Sequence, residues 1–133
     1  MMVVDTSALM TIILRETERE IYLAVLAQAE NAFISAATMV ETKMVCHSRG
    51  GSTLVAEAEE LIDAFGIQVA PVSEEQLTFA YHAFVTYGKG QGHPAQLNFG
   101  DLFSYALAKA HDAPLLYKGD DFSQTDVVSA LTA

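Results

Sequence analysis

The sequence predicts an α/β fold in which helices flank a mainly parallel sheet. Short β-branched or apolar runs alternate with longer segments of helical period, which is the pattern of successive β-α-β units. The chain has 133 residues, of which 51% are hydrophobic and 18% charged, so it has enough apolar material for one hydrophobic core. Because no internal repeat divides the sequence, we expect a single domain over residues 1–133.

The first half of the chain predicts two strands separated by a helix. Residues 2–5 are too few and too apolar for a helix and predict the first strand, which ends at polar residues. Residues 16–29 form an amphipathic pattern with acids near its start, which predicts a helix. Residues 33–35 predict the second strand. Helical spacing returns at residue 38 and stops at Gly50-Gly51.

The second half continues the alternation and contains the only long loop. The predicted elements, in order, are a helix over 54–65, a strand over 67–70, a helix that starts at Ser73, a loop over 88–94, a helix opened by Asp101, a strand over 114–117 and a turn over 119–122. The loop has three Gly and one Pro in seven residues, and too little chain follows it to fold as a second domain.

Four acidic residues fall at one edge of the predicted sheet. Asp5 and Asp120 each follow an apolar strand, whereas Glu41 and Asp101 lie in the first turns of helices. In an open parallel sheet, the carboxyl ends of strands and the amino ends of the following helices share one edge, where functional sites gather. We therefore expect the four carboxylates to converge. The sequence leaves open whether Asp120 or its neighbour Asp121 points inward, and we favour Asp120.

Each of these acids also has a purely structural explanation. Asp5 fits a helix N-cap, and Asp101 fits the acidic first turn of a helix. Glu41 on its own resembles a solvated helical glutamate, and residues 120–121 fit a polar turn. Asp5, with Ser7 two residues on, favours a site by itself, whereas Glu41 favours one only in combination with its neighbours.

The charge balance indicates how such a site would be used. Seven Lys and Arg against 17 Asp and Glu give a net charge of −10, which opposes sequence-independent binding of nucleic acid or anionic lipid. A divalent cation held by carboxylates removes this objection, because it can bridge the protein to a phosphodiester and activate a water molecule. Oxygen ligands without His or Cys favour Mg²⁺ or Mn²⁺ over zinc.

The sequence also favours a reducing compartment. A single cysteine excludes an internal disulfide, and no apolar run reaches the roughly 18 residues that a membrane span requires. The amino terminus has neither a basic region nor a cleavable apolar region. We expect a cytoplasmic protein.

Four segments together resemble the PIN-domain ribonucleases, and in particular the VapC toxins of bacterial toxin-antitoxin pairs. The segments are residues 3–8, residues 35–41, residues 97–108 and residues 115–126, in that order and spanning essentially the whole chain. The resemblance implies a PIN fold and a Mg²⁺- or Mn²⁺-dependent endoribonuclease that leaves a 5′-phosphate and a 3′-hydroxyl. It also implies a VapB-type antitoxin, a homodimer and a structured RNA target such as a tRNA.

The same resemblance assigns roles to individual residues. The metal-binding aspartates of the family fall on Asp5 and Asp101, its helical acid on Glu41, and its last acid on the Asp120-Asp121 pair. Ser7 matches the small hydroxyl residue that supports the first aspartate. The expected catalytic and metal-binding set is therefore Asp5, Glu41, Asp101 and Asp120, with Ser7 and Asp121 in support.

Two other functions share some of these features. Haloacid-dehalogenase-like phosphohydrolases also use an Asp after the first strand, but they need a second Asp two residues later, where this chain has Ser7. The other alternative is a non-enzymatic protein whose acidic pocket captures basic residues of a partner. We favour the endoribonuclease.

Overall fold

The computed structural model describes residues 1–131 and contains a four-stranded sheet flanked by helices. The elements, in order, are β1 Met2–Val4, α1 Thr6–Ile13, α2 Arg19–Gln28, β2 Ala32–Ser35, α3 Ala36–Ala64, β3 Gln68–Ala70, α4 Glu74–Tyr87, α5 Phe99–Ala110, β4 Leu115–Leu116 and a short 3₁₀ helix Phe122–Gln124. The strand order is β3-β2-β1-β4, and all three pairings are parallel. The predicted α/β class and parallel sheet are confirmed.

The sheet separates two apolar clusters. In β1, Val4 packs on the side of α1, α2 and α3, whereas Val3 packs on the side of α4 and α5. This alternation follows from the two-residue period of a strand that is buried on both faces. Because β1 lies in the interior of the sheet, the residue that follows it enters the middle of the carboxyl edge.

Two helices differ from the sequence prediction. Helix α1, which begins directly after Asp5, was not predicted, because its eight residues make little more than two turns, too few to establish a helical period. Seven of the eight residues are buried, so its polar residues Thr6 and Thr11 do not form a solvent-facing side. Helix α2 begins at Arg19, three residues later than the predicted start at residue 16.

The predicted stop at Gly50-Gly51 corresponds to a break inside α3. Gly50 has φ −156° and ψ 15°, and Gly51 has φ 66° and ψ −159°, so neither residue is helical. The positive φ at Gly51 lies where a side chain is strained, which explains why a glycine stands there. The half of α3 before the break carries Glu41, and the half after it packs Ala58 and Ile62 into the core.

The remaining predicted elements agree with the structure. Ser73 caps α4 by accepting a hydrogen bond from the Gln76 amide, and residues 88–94 form a loop of turns. Within residues 1–131, no helix is both long enough and apolar enough to cross a membrane.

Candidate active site

Asp5 is a buried carboxylate at the carboxyl end of β1. It is only 3% exposed and serves as the N-cap of α1, since one carboxylate oxygen accepts a hydrogen bond from the Ser7 amide at 3.0 Å. The same oxygen accepts a bond from the Ser7 hydroxyl at 2.7 Å. The other oxygen accepts a 2.5 Å bond from the Ser104 hydroxyl on α5. These three donors fix the orientation of a charge that would otherwise be costly to bury.

Glu41 reaches the same region from the first half of α3. Its Oε1 accepts a hydrogen bond from the Thr6 hydroxyl at 2.9 Å. Its Oε2 lies against Gly100 so closely that a side-chain carbon at position 100 would overlap the carboxylate. Glu41 therefore contacts the start of α1, next to Asp5, and the amino end of α5, next to Asp101.

Asp101 lies in the first turn of α5 as part of a capping box. Its side chain accepts a hydrogen bond from the Asn98 amide at 3.0 Å, and its own amide donates to the Asn98 side chain at 2.9 Å. Burial, together with the charges of Asp5, Asp121 and Glu41, raises the pKa of Asp101 from 3.8 to about 7. The hydrogen bond from the Asn98 amide acts in the opposite direction and lowers the pKa. Asp101 therefore both caps α5 and lies near other acidic side chains.

The three acids influence one another electrostatically. Burial is the main cause that raises the pKa of Glu41; the Thr6 hydrogen bond opposes it, and the charge of Asp5 adds to it. Asp5 and Glu41 likewise contribute to the raised pKa of Asp101. Asp5 is hydrogen-bonded to Ser104 on α5, and Glu41 contacts Thr6 and Gly100, so the three acids lie near one another at the carboxyl edge of the sheet. This region, in which negative charge is in excess, is called the acidic pocket below.

The fourth predicted acid lies at the rim. Asp120 and Asp121 are both exposed, in the turn between β4 and the 3₁₀ helix. The charge of Asp121 contributes to the raised pKa of Asp101, whereas Asp120 is not among the groups that do so. The charge that acts on Asp101 is therefore that of Asp121, while the choice of Asp120 as the fourth site acid stays a prediction.

A row of buried hydroxyl groups connects Glu41 with Asp5. The Thr6 hydroxyl lies 2.9 Å from the Thr42 hydroxyl, which donates to the Thr38 carbonyl. The Thr38 hydroxyl lies 3.1 Å from that of Ser104, and because Ser104 gives its hydrogen to Asp5, Thr38 is the donor in this pair. This row positions Glu41 and Asp5 relative to each other and links α1, α3 and α5.

Sequence reasoning did not assign a function to these hydroxyl residues. The available signal was a set of polar residues inside otherwise apolar helical faces: Thr6, Thr38, Thr42 and Ser104, all of them buried. A buried polar side chain needs a hydrogen-bond partner, so such positions point to a nearby polar site.

The pocket offers carboxylate oxygens without a complete cage for a metal ion. Within residues 1–131, no three His, Cys, Asp or Glu side chains come close enough together to hold an ion by themselves. Mg²⁺ is commonly held by one or two carboxylates and keeps several water ligands, so it does not need a complete cage of protein ligands. The excess of negative charge around Asp101 also fits a cation partner.

Comparisons with known proteins agree with this architecture. The model of the PIN domain family matches residues 2–128. Ribonuclease VapC42 of Mycobacterium tuberculosis is 40% identical over 131 residues, which cover 98% of this chain and 100% of the relative.

Solved structures resemble the fold at lower identity. The crystal structure of Mycobacterium tuberculosis VapC20, described as a Sarcin-Ricin loop cleaving toxin, superimposes with a TM-score of 0.78 at 17% identity, covering 96% of this chain and 97% of that one. VapBC2 from Rickettsia felis, bound to a DNA fragment from its promoter, gives a TM-score of 0.72 at 16% identity, with 96% and 95% covered.

The parallel sheet and the acids at its carboxyl edge define a PIN-domain protein, the class that the family match gives independently. By its identity to full-length relatives, the chain belongs to the VapC ribonucleases of the PIN-domain family. This result confirms the resemblance seen in the sequence and disfavours the haloacid-dehalogenase alternative. Ser7, which stands where that alternative needs an Asp, instead donates a hydrogen bond to Asp5.

Proposed function

We propose that the protein is a metal-dependent endoribonuclease that hydrolyses phosphodiester bonds of RNA, as the toxin component of a toxin-antitoxin pair. The observation that carries this proposal is that Asp5 is bonded to Ser104 on α5 while Glu41 contacts Thr6 and Gly100, which puts these acids near Asp101 at one edge of the sheet. Burial, with the charges of the other acids, raises the pKa of Asp101 to about 7 there. The relatives named as VapC ribonucleases support the choice of RNA as substrate.

Asp5 and Asp101 would hold a Mg²⁺ or Mn²⁺ ion, with Glu41 and an acid of the Asp120-Asp121 pair in contact through water. The chemistry supplied by an ion held there would be neutralisation of the carboxylates and Lewis-acid activation of a water molecule and the phosphodiester. A cation would also offset the net charge of −10 at the one place where RNA must approach closely.

The protein residues supply orientation and proton transfer around that chemistry. Ser7 and Ser104 hold both oxygens of Asp5 in fixed directions. The raised pKa of Glu41 makes this carboxylate a suitable acceptor for a proton from the attacking water. A water-derived nucleophile in line with the leaving group would leave a 5′-phosphate and a 3′-hydroxyl.

The direct test is cleavage of RNA by the purified protein with Mg²⁺, with Mn²⁺ and with EDTA. Wild type should cleave only with a divalent ion, and Asp5→Asn and Asp101→Asn should lose at least about 10²-fold in rate. Asp63→Asn is the matched control, since Asp63 is an exposed acid on the distal half of α3. Metal-independent cleavage, or full activity of both site variants, would contradict the proposal.

The partners proposed with this function are a VapB-type antitoxin, a structured RNA such as a tRNA and a second copy of the chain, all in the cytoplasm. The similarity to VapBC2, a toxin-antitoxin assembly, is consistent with the antitoxin. Co-expression with the product of the adjacent small gene should suppress cleavage and yield a stable complex. An active toxin that co-purifies with no such protein would argue against the pair.

A further inference from the structure

A groove of about 340 Å³ opens beside the acidic pocket. Two of its lining residues, Ser7 and Gly119, belong to the segments that carry Asp5 and the Asp120-Asp121 pair. The Ser7 hydroxyl donates to the Asp5 carboxylate, so one end of the groove lies directly at the site. A polymer bound at the acidic pocket can therefore extend into this groove.

The groove combines an apolar wall with polar ends. The wall comes from Met10 and Leu14, at the end of α1, and from Val45 on the facing side of α3. Its volume lies at the lower end of the range that binds small organic ligands. A nucleobase fits such a surface because it has apolar faces and polar edges, and stacking against apolar side chains does not depend on its identity.

Arg49 is the cation of this groove that has no acidic partner among residues 1–131. Five of the seven Lys and Arg residues have an acidic partner within 4.0 Å: Arg15, Arg19, Lys43, Lys109 and Lys118. Arg49 and Lys89 have no such partner within 4.0 Å in the described chain, and of these two only Arg49 lines the groove. The acidic residue that influences Arg49 is Glu16, another lining residue, whose pKa is lowered mainly by its hydrogen bond with Lys118 and also by the charge of Arg49, without an ion pair to Arg49.

Lys118, the other cation of the groove, is already neutralised. Its ammonium group lies 2.6 Å from a Glu16 oxygen and 2.7 Å from a Glu18 oxygen. Its backbone amide donates to the Ser7 hydroxyl at 3.0 Å, so this segment fixes the groove next to Asp5. Among the described residues, a phosphate entering the groove therefore finds one available positive group, the guanidinium of Arg49.

We propose that this groove binds one ribonucleotide next to the scissile phosphate and that Arg49 contacts its phosphate. The inference rests on the proposed ribonuclease function. The planar guanidinium can donate two parallel hydrogen bonds to phosphate oxygens, which a lysine cannot. In a chain with a net charge of −10, one unpaired arginine beside the site has a large effect on where RNA binds.

The test compares Arg49→Gln with Arg15→Gln, which removes the same charge outside the groove, where Arg15 pairs with Glu57 at 3.6 Å. Binding of a fluorescein-labelled single-stranded RNA is measured by anisotropy in EDTA at several salt concentrations, and cleavage is measured with Mg²⁺. For Arg49→Gln we expect Kd to rise about tenfold and the slope of log Kd against log salt to fall by about 0.7, the value for one phosphate contact on single-stranded RNA.

In cleavage, the loss in Arg49→Gln should fall mainly on KM rather than on kcat, because the contact lies beside the reacting phosphate. Arg49→Lys should recover the salt slope but only part of the affinity. Lysine keeps the positive charge but lacks the planar guanidinium that donates two parallel hydrogen bonds. Arg15→Gln should match wild type in Kd, slope and KM.

Equal effects of Arg49→Gln and Arg15→Gln would overturn the proposed subsite. A second measurement uses RNA with 4-thiouridine placed at each position around the cleavage point. Photo-crosslinks should map to peptides containing Met10, Leu14 or Val45, and crosslinks confined to α4 and α5 would equally overturn the proposal. A wild-type protein that neither binds nor cleaves RNA would instead contradict the ribonuclease function itself.

Discussion

Replacing Asp101 with asparagine should stabilise the protein in the absence of metal, and more strongly as pH rises. In the folded state the pKa of Asp101 is raised from 3.8 to about 7, chiefly by burial. Between these values the folded state binds a proton that the unfolded state has lost, so wild-type stability declines as pH rises from about 4 to about 7. An asparagine side chain does not ionise, so it loses no stability as pH rises. Its oxygen can still accept the hydrogen bond from the Asn98 amide.

The pKa change sets the size of the effect. At about 1.4 kcal/mol per pH unit, a change from 3.8 to about 7 corresponds to a ceiling of about 4 kcal/mol. The carboxylate retains some access to solvent, which screens part of this cost, so we expect about 2 kcal/mol at pH 8. Below pH 4 the difference between the two proteins should nearly vanish.

The assay is urea unfolding in EDTA at pH 4, 5, 6, 7 and 8 for wild type, Asp101→Asn and the control Asp63→Asn. The difference between Asp101→Asn and wild type should grow between pH 4 and pH 7 and then level off, while the control stays within about 0.5 kcal/mol of wild type. A difference that is independent of pH, or a variant less stable than wild type at pH 8, would refute the reasoning about the acidic pocket.

Three further changes probe the surroundings of the acids. Gly100→Ala should displace the flexible Glu41 carboxylate. The substitution should change the free energy of unfolding, measured by thermal melting, by less than about 1 kcal/mol, while the cleavage rate falls about 10²-fold. Unchanged activity would show that the contact between Glu41 and Gly100 is irrelevant to cleavage. Thr6→Val removes the hydrogen bond that lowers the pKa of Glu41, so the acid limb of the pH-rate profile should move to higher pH, and an unmoved limb would exclude Glu41 as the titrating group. Ser104→Ala leaves a buried oxygen of Asp5 without its donor and should cost about 1–3 kcal/mol in urea unfolding, whereas a neutral change would mean that water replaces the hydroxyl.

The sequence was sufficient to predict the sheet and the edge at which the site lies. Residues 2–5 and 33–35 are short β-branched or apolar runs, and such runs in a βαβ alternation determine both the strands and their parallel direction. The positions of Asp5, Glu41 and Asp101 at strand and helix ends then implied a common edge. The Ser104 bond to Asp5 and the contacts of Glu41 with Thr6 and Gly100 lie at that edge.

Other features depend on contacts that no local pattern encodes. Helix α1 is only eight residues long and seven of them are buried, so no solvent-facing polar side marks it in the sequence. The approach of Glu41 to Gly100 joins residues 59 positions apart, and the effect of Asp121 rather than Asp120 on Asp101 depends on how one exposed turn is directed. The Thr38 and Ser104 pair, 66 positions apart, is likewise visible only once α3 and α5 are packed together.

The break at Gly50-Gly51 divides α3 into two halves with different duties. Glu41 and Arg49 both lie on the half before the break. One helical segment, which rises about 1.5 Å per residue, therefore holds these two residues at a constant spacing. The far half, after the break, is fixed separately, because Ala58 and Ile62 pack into the core. A substitution on the exposed side of the far half should therefore leave the spacing between Glu41 and Arg49 unchanged.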